Sequence, residues 1–151
     1  MARASTLNHV LIAANGCEGP KWFQAGAAGI YIGYLVMYDD ADEVKVATTS
    51  AAKLIGVAGC PSYQDSTDDF DAGTRVPVWI KGCGAEVWVT HDGTTGNSTL
   101  AVEVGDTLTF SNSTAGLVEV DAAYDIISIG WVTRSKTIAT GVPANLRMIL
   151  I

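Results

Sequence analysis

Apolar residues in this chain come in short runs separated by turn-forming residues, and several runs alternate with polar positions. A period of two marks a half-buried strand, because successive side chains point to opposite faces of a pleated backbone. Residues 85–90 (AEVWVT) put Ala85, Val87 and Val89 on one face and Glu86, Trp88 and Thr90 on the other. Residues 106–111 (DTLTFS) turn Leu108 and Phe110 inward, and 44–46 (VKV) alternate in the same way. The runs 7–12, 30–38 (IYIGYLVMY), 53–60 (KLIGVAGC), 117–120, 126–133 (IISIGWVT) and 146–151 (LRMILI) are rich in β-formers. In 75–80 (RVPVWI), Pro77 lacks a backbone N–H, which places that run at a sheet edge or a bulge. Turn pairs punctuate the runs, and 81–84 (KGCG) reads as a hairpin between two Trp-bearing strands. The one helical stretch, 48–53, is at most a turn or two.

Roughly ten short strands at this spacing predict an all-β fold, a small barrel or sandwich of short antiparallel strands with Gly-rich turns. No linker or shift of composition divides the chain, so 1–151 reads as a single β domain. The first residues, 1–8, are small and polar, and 7–12 can pair as a first strand within its own barrel. The two halves also echo each other. Gly33-Tyr-Leu-Val, Glu43-Val-Lys-Val and Lys53-Leu-Ile-Gly-Val-Ala are followed later by Gly105-Asp-Thr-Leu-Thr, Gly116-Leu-Val-Glu-Val and Ile127-Ser-Ile-Gly-Trp-Val. Gly56 and Gly130 fall where a strand bends or meets another backbone closely. Duplication and two similar meanders both fit that pattern.

Charge narrows the function. Charged residues are 17% of the chain and apolar ones 48%, against about 25% charged in ordinary soluble domains. Part of the surface is expected to be covered by other copies or a larger assembly. The net charge of −7 and the scattering of nine Lys and Arg residues along the sequence speak against nucleic acid as a partner. No stretch is long and apolar enough to span a membrane as a helix, and the start of the chain carries no signal-peptide pattern.

Candidate chemistry is sparse. Cys17, Cys60 and Cys83 are odd in number and far apart, which is no disulfide framework, and they are expected to be reduced and buried. His9 and His91 lack the paired spacing of metal ligands. A triad would need His91 and Asp92 to meet a serine or cysteine, and no G-x-S-x-G elbow is present. The acidic loop with Asp65, Asp68, Asp69 and Asp71 carries oxygen ligands for a cation but lacks EF-hand spacing. The expectation is no catalytic residue, no metal and no cofactor. Trp79 and Trp131 read as core or interface. Trp22 and Phe23 read as a protruding anchor or a plug over a barrel end, and Trp88 as an exposed ring.

The segments 28–36, 53–58, 75–87, 104–108, 115–118 and 127–132, short strands each with a glycine turn, resemble the decoration (cement) proteins on capsids of tailed phages and related viruses. That resemblance implies a small β-barrel or sandwich, made in the host cytoplasm, that trimerises and binds the major capsid protein on the outside of the shell, with residues 1–10 an extended N-terminal arm that can reach a neighbouring subunit. Contact residues on that reading are Arg3, Leu7, Trp22, Phe23 and Trp88. A tail or spike module that binds carbohydrate is the alternative, marked by exposed aromatics in a groove.

Overall fold

The computed structural model describes residues 7, 9–40, 42–48, 53–61, 68–94, 99–121 and 128–151. Among these the chain forms strands and no helix. In order they are β1 (Leu11–Ala13), β2 (Lys21–Ala25), β3 (Leu35–Tyr38), β4 (Glu43–Val46), β5 (Leu54–Ala58), β6 (Arg75–Ile80), β7 (Glu86–His91), β8 (Thr99–Val102), β9 (Thr107–Phe110), β10 (Val118–Val120), β11 (Gly130–Val132), β12 (Lys136–Ala139) and β13 (Ala144–Leu150). The fold is all-β, as the alternation and turn chemistry require.

Strands β2, β4, β3, β5 and β6 close into a barrel. The later strands run β1-β7-β10-β9-β11-β13, and a further β7–β13 pairing brings that sheet into a second ring, with β1 lying beside β7. Most ladders are antiparallel, but each ring is completed by one short parallel pairing, β2 with β4 and β7 with β10.

The two rings are one topology built twice. Val36 faces Gly56 across β3–β5, and Leu108 faces Gly130 across β9–β11. Tyr38 faces Val44 across β3–β4, and Phe110 faces Val118 across β9–β10. Ala25 lies beside Val44 in one parallel pair, and His91 beside Val118 in the other. Bonds outside the ladders repeat as well. Gly33 N–H donates to Ala58 O at 2.9 Å, and Gly105 N–H to Val132 O at 2.9 Å. Even the antiparallel bridge between Ile30 and Phe70 holds the place that the β8–β12 pair fills in the second unit. The echo in the sequence is therefore a structural duplication.

The paired glycines explain themselves at this level. A Cβ on Gly56 would stand on the carbonyl oxygen of Trp79, and one on Gly130 on that of Ile149. In each ring the next strand, β6 or β13, passes too close to leave room for a side chain. Both rings pack into one buried cluster, in which Val36, Val57 and Val78 from the first join Val87, Leu108 and Met148 from the second, all fully buried.

Several local expectations are corrected. Pro77 is not on an edge, because β6 pairs with β2 on one side and β5 on the other. Its carbonyl accepts from Gly59 N–H at 2.6 Å, just beyond the end of β5. A residue's N–H and C=O point to the same side, so the missing donor falls where the β5 ladder has run out. Residues 81–84 do turn, but β6 and β7 are not hydrogen-bonded to each other; the chain crosses there from one ring to the other. The run 30–38 breaks at Gly33, and only Leu35–Tyr38 is strand. Strand β1 pairs with β7 of its own chain rather than extending away. Strands β2, β8 and β12 were not foreseen. The helical stretch at 48–53 lies mostly outside the described residues.

Gly56→Ala and Gly130→Ala are each expected to destabilise the protein by about 1–3 kcal/mol, the usual cost of forcing an atom into a packed interior. Urea unfolding of the two variants tests this; neutral substitutions would contradict the close approach of the strands.

Candidate functional site

Strands β2 and β7 hold the same place in their rings, and each presents a tryptophan at the same ladder position. Trp22 faces Pro77, and Trp88 faces Arg147. The chain leaving β5 at 59–61 corresponds to the chain leaving β11 at 133–135. These pieces enclose one groove per barrel, and the two grooves have opposite chemistry.

The first groove, of about 330 Å³, is walled by Leu11, Pro20, Trp22, Pro61, Pro77 and Trp79. Trp22 is 45% exposed and Leu11 38%. Three prolines fix the backbone around these side chains, so an incoming surface has little conformational freedom to remove. The second groove, of about 290 Å³, is lined by Trp88, Arg134, Lys136, Asn145 and Arg147. Three of the nine basic residues of an acidic chain gather there. Arg134 and Lys136 are near neighbours in sequence, and Arg147 joins them where Thr133 N–H donates to its carbonyl at 3.0 Å.

The second groove is organised around Glu86. Its carboxylate holds Arg147 at 3.2 Å and accepts from Thr133 Oγ1 at 2.6 Å. So anchored, the Arg147 guanidinium lies 5.9 Å from the centre of the Trp88 ring, within cation–π range. Arg147 Nε is buried and has no hydrogen-bond partner among the described residues. Lys136 Nζ donates to the Asn145 carbonyl at 3.1 Å, and Thr90 Oγ1 donates to Asn145 Oδ1 at 2.9 Å. An aromatic face and several N–H donors can hold an anionic or polyhydroxylated group.

The other polar cluster lies where the second ring closes. His91 and Asp92 are buried. Gly93 N–H donates to His91 Nδ1 at 2.8 Å, which leaves the imidazole proton on Nε2. The Asp92 carboxylate accepts from Thr94 N–H and Thr94 Oγ1, each at 2.9 Å, from Ser113 Oγ at 3.2 Å, and in a short bond from Ser111 Oγ. The serine therefore bonds the acid and not the imidazole, and the order nucleophile–base–acid is not formed. Its physical work is to tie the turn after β7 to the loop after β9. Burial holds the His91 pKa below its ordinary 6.5, against the pull of Asp92. Burial alone would raise Asp92, but the hydrogen bonds from Ser111 and Thr94, together with His91, bring it below its ordinary 3.8.

The residues singled out from the sequence are distributed as follows. Trp22 and Trp88 reach equivalent grooves. Phe23 turns to the other face of β2, packs on the core and meets Tyr38 edge-on at 5.9 Å. Leu7 is buried, and its side chain fills the space in front of Gly33. Arg3 and Asp65 lie outside the described residues. Asp69 is used structurally, accepting from Gly29 N–H at 2.7 Å. Among the described residues, no group of three His, Cys, Asp or Glu side chains is placed to hold a metal ion. Cys60 is exposed and Cys17 and Cys83 are half-buried, which corrects the expectation of three buried thiols.

No family model matches the chain, and no curated protein matches it. Among solved structures it is similar to the head fiber gp8.5 N base of bacteriophage phi29, at 13% sequence identity and a TM-score of 0.46, covering 87% of this chain and 92% of that one.

Stability is expected to fall as pH drops from about 7 to about 5, because unfolded His91 takes up a proton that the folded protein resists. His91→Gln removes that slope. The Asp92 contribution has the same sense in a lower window: present above its unfolded pKa of 3.8, it is lost only as pH falls through the lower folded value. Denaturant melts across the acid range measure both, and a wild-type profile flat from about pH 7 to about pH 5 would contradict the buried neutral imidazole.

Proposed function

We propose that this chain is a non-catalytic structural protein of a virion, which binds the outer surface of an assembled capsid as an oligomer, in the simplest case a homotrimer, and stabilises the shell. The observation that carries the reading is the apolar groove of the first barrel. Trp22 and Leu11 stand exposed among prolines on a chain short of surface charge. Such a rigid aromatic centre is the usual anchor of a protein interface. The closed rings and the sequence resemblance to capsid decoration proteins support the same reading. The partners are the major capsid protein and other copies of this chain. The mechanism is additive: each bound copy buries apolar surface across subunit joints, and binding to one lattice state favours that state by mass action.

Co-sedimentation with emptied mature shells tests the proposal. Wild-type protein should pellet with shells and raise their rupture temperature. Trp22→Ala should weaken binding by roughly 10–100-fold, a loss of about 1.4–2.8 kcal/mol, with folding intact because Trp22 is outside the core. A monomer that stays in the supernatant would contradict the reading.

A second reading, a tail or spike module that binds carbohydrate, is favoured by one observation: the Trp88 groove pairs an aromatic ring with Arg134, Lys136 and Arg147. Titration with uronic-acid oligosaccharides separates the two, since saturable binding lost in Trp88→Ala favours this reading.

A further inference from the structure

The duplication places two cysteines at matching points. Cys17 ends the turn before β2, its N–H bonded to Ala14 O at 2.9 Å; Cys83 ends the turn before β7, its N–H bonded to Ile80 O at 3.3 Å. In a simple tandem array these points would be a whole barrel apart. Here β1, which leads into the first turn, pairs with β7, which follows the second, and Ala13 lies beside Glu86. Asn15 Nδ2 then donates to Gly84 O at 3.1 Å and stitches the two turns together. The Cys17 thiol lies close enough to Cys83 to raise its pKa. Both side chains are half-buried and rest on the common core. Cys60 is exposed and belongs to the wall of the first groove.

We propose that Cys17 and Cys83 are a disulfide site, which a soluble disulfide oxidant closes to staple the entry of the first barrel to the entry of the second. The chemistry is two thiol–disulfide exchanges. One cysteine, as its thiolate, attacks oxidised glutathione, forming a protein–glutathione disulfide and releasing one glutathione thiolate that takes up the proton. The second cysteine loses its proton and attacks the protein sulfur of that mixed disulfide, releasing the second glutathione. The protein gives up two protons and two electrons, and glutathione disulfide becomes two thiols. The covalent loop encloses the whole first barrel, and it fixes β1 on β7. Burial and the nearby Cys17 thiol push the Cys83 thiol above its ordinary 9.0, so closure is slow near neutral pH and faster in alkaline buffer. A chain made in a reducing compartment and released into an oxidising one would acquire the staple afterwards.

The test uses the folded Cys60→Ser variant, which removes the exposed thiol. Treated with oxidised glutathione, it should lose two hydrogen atoms in mass and give a linked peptide joining Cys17 to Cys83. Its thermal midpoint should rise by roughly 5–10 °C, reversed by dithiothreitol. The Cys17→Ser/Cys60→Ser protein should take up one glutathione at most and show no rise. Two stable glutathione adducts on the Cys60→Ser protein, two unmodified thiols after prolonged alkaline treatment, or a cross-link that forms only in denaturant would each overturn the proposal.

Discussion

Closure of each ring rests on one short parallel pairing between strands that are not neighbours in sequence. In the first barrel, Gly26 N–H donates to Val44 O at 2.8 Å beyond the end of β2; in the second, Asp92 N–H donates to Val118 O at 3.1 Å beyond β7. Without these contacts each unit would be an open sheet with two unpaired edges, a template for uncontrolled association. With them, the main-chain polar groups of the ring are satisfied internally. What remains for partners is side-chain surface, and the grooves beside Trp22 and Trp88 are the most structured parts of it.

Two barrels with one set of registers have drifted apart in chemistry where the scaffold tolerates it. The first groove faces solvent with proline and tryptophan, the second with arginine, lysine and tryptophan. The same holds at the closing points. Ala25 and Gly26 do the work with main-chain bonds alone, while the second barrel adds His91, Asp92 and Ser111. The paired glycines have not drifted, because there a neighbouring backbone occupies the space of a side chain. Constraint tracks main-chain crowding, and freedom tracks exposure.

Alternation made the strands Glu86–His91 and Thr107–Phe110 legible, although Thr109, on the polar face of the second, is buried as well. The duplication showed only as an echo around Gly56 and Gly130, which two similar meanders fitted as well. Strands β2, β8 and β12 were hidden because KWFQA, TLAV and KTIA are short and show no clean alternation of polar and apolar positions; they exist through their partners. Turn chemistry at 81–84 announced a reversal but could not say which strand would pair with which. Pro77 misled because a local rule about edges ignores that a ladder can end beside a proline. For the candidate site, Trp22 was legible as an exposed aromatic; Trp88, expected to be exposed as well, is half-buried beside Arg147. The cationic character of the Trp88 groove was not legible, since Arg147 joins Arg134 and Lys136 only where β13 passes the 133–135 segment, and meets Trp88 only through the β7–β13 ladder. The proximity of Cys17 to Cys83 was hidden for the same reason.

Both rings contribute to one buried cluster, so neither should open without the other. Native-state hydrogen exchange reads this directly at Gly26 and Asp92, the closing amides of the two barrels. The expected result is that both exchange only through global unfolding, with the same free energy as the core amides of Val57 and Leu108. Two separate protection levels, one for each barrel, would contradict it.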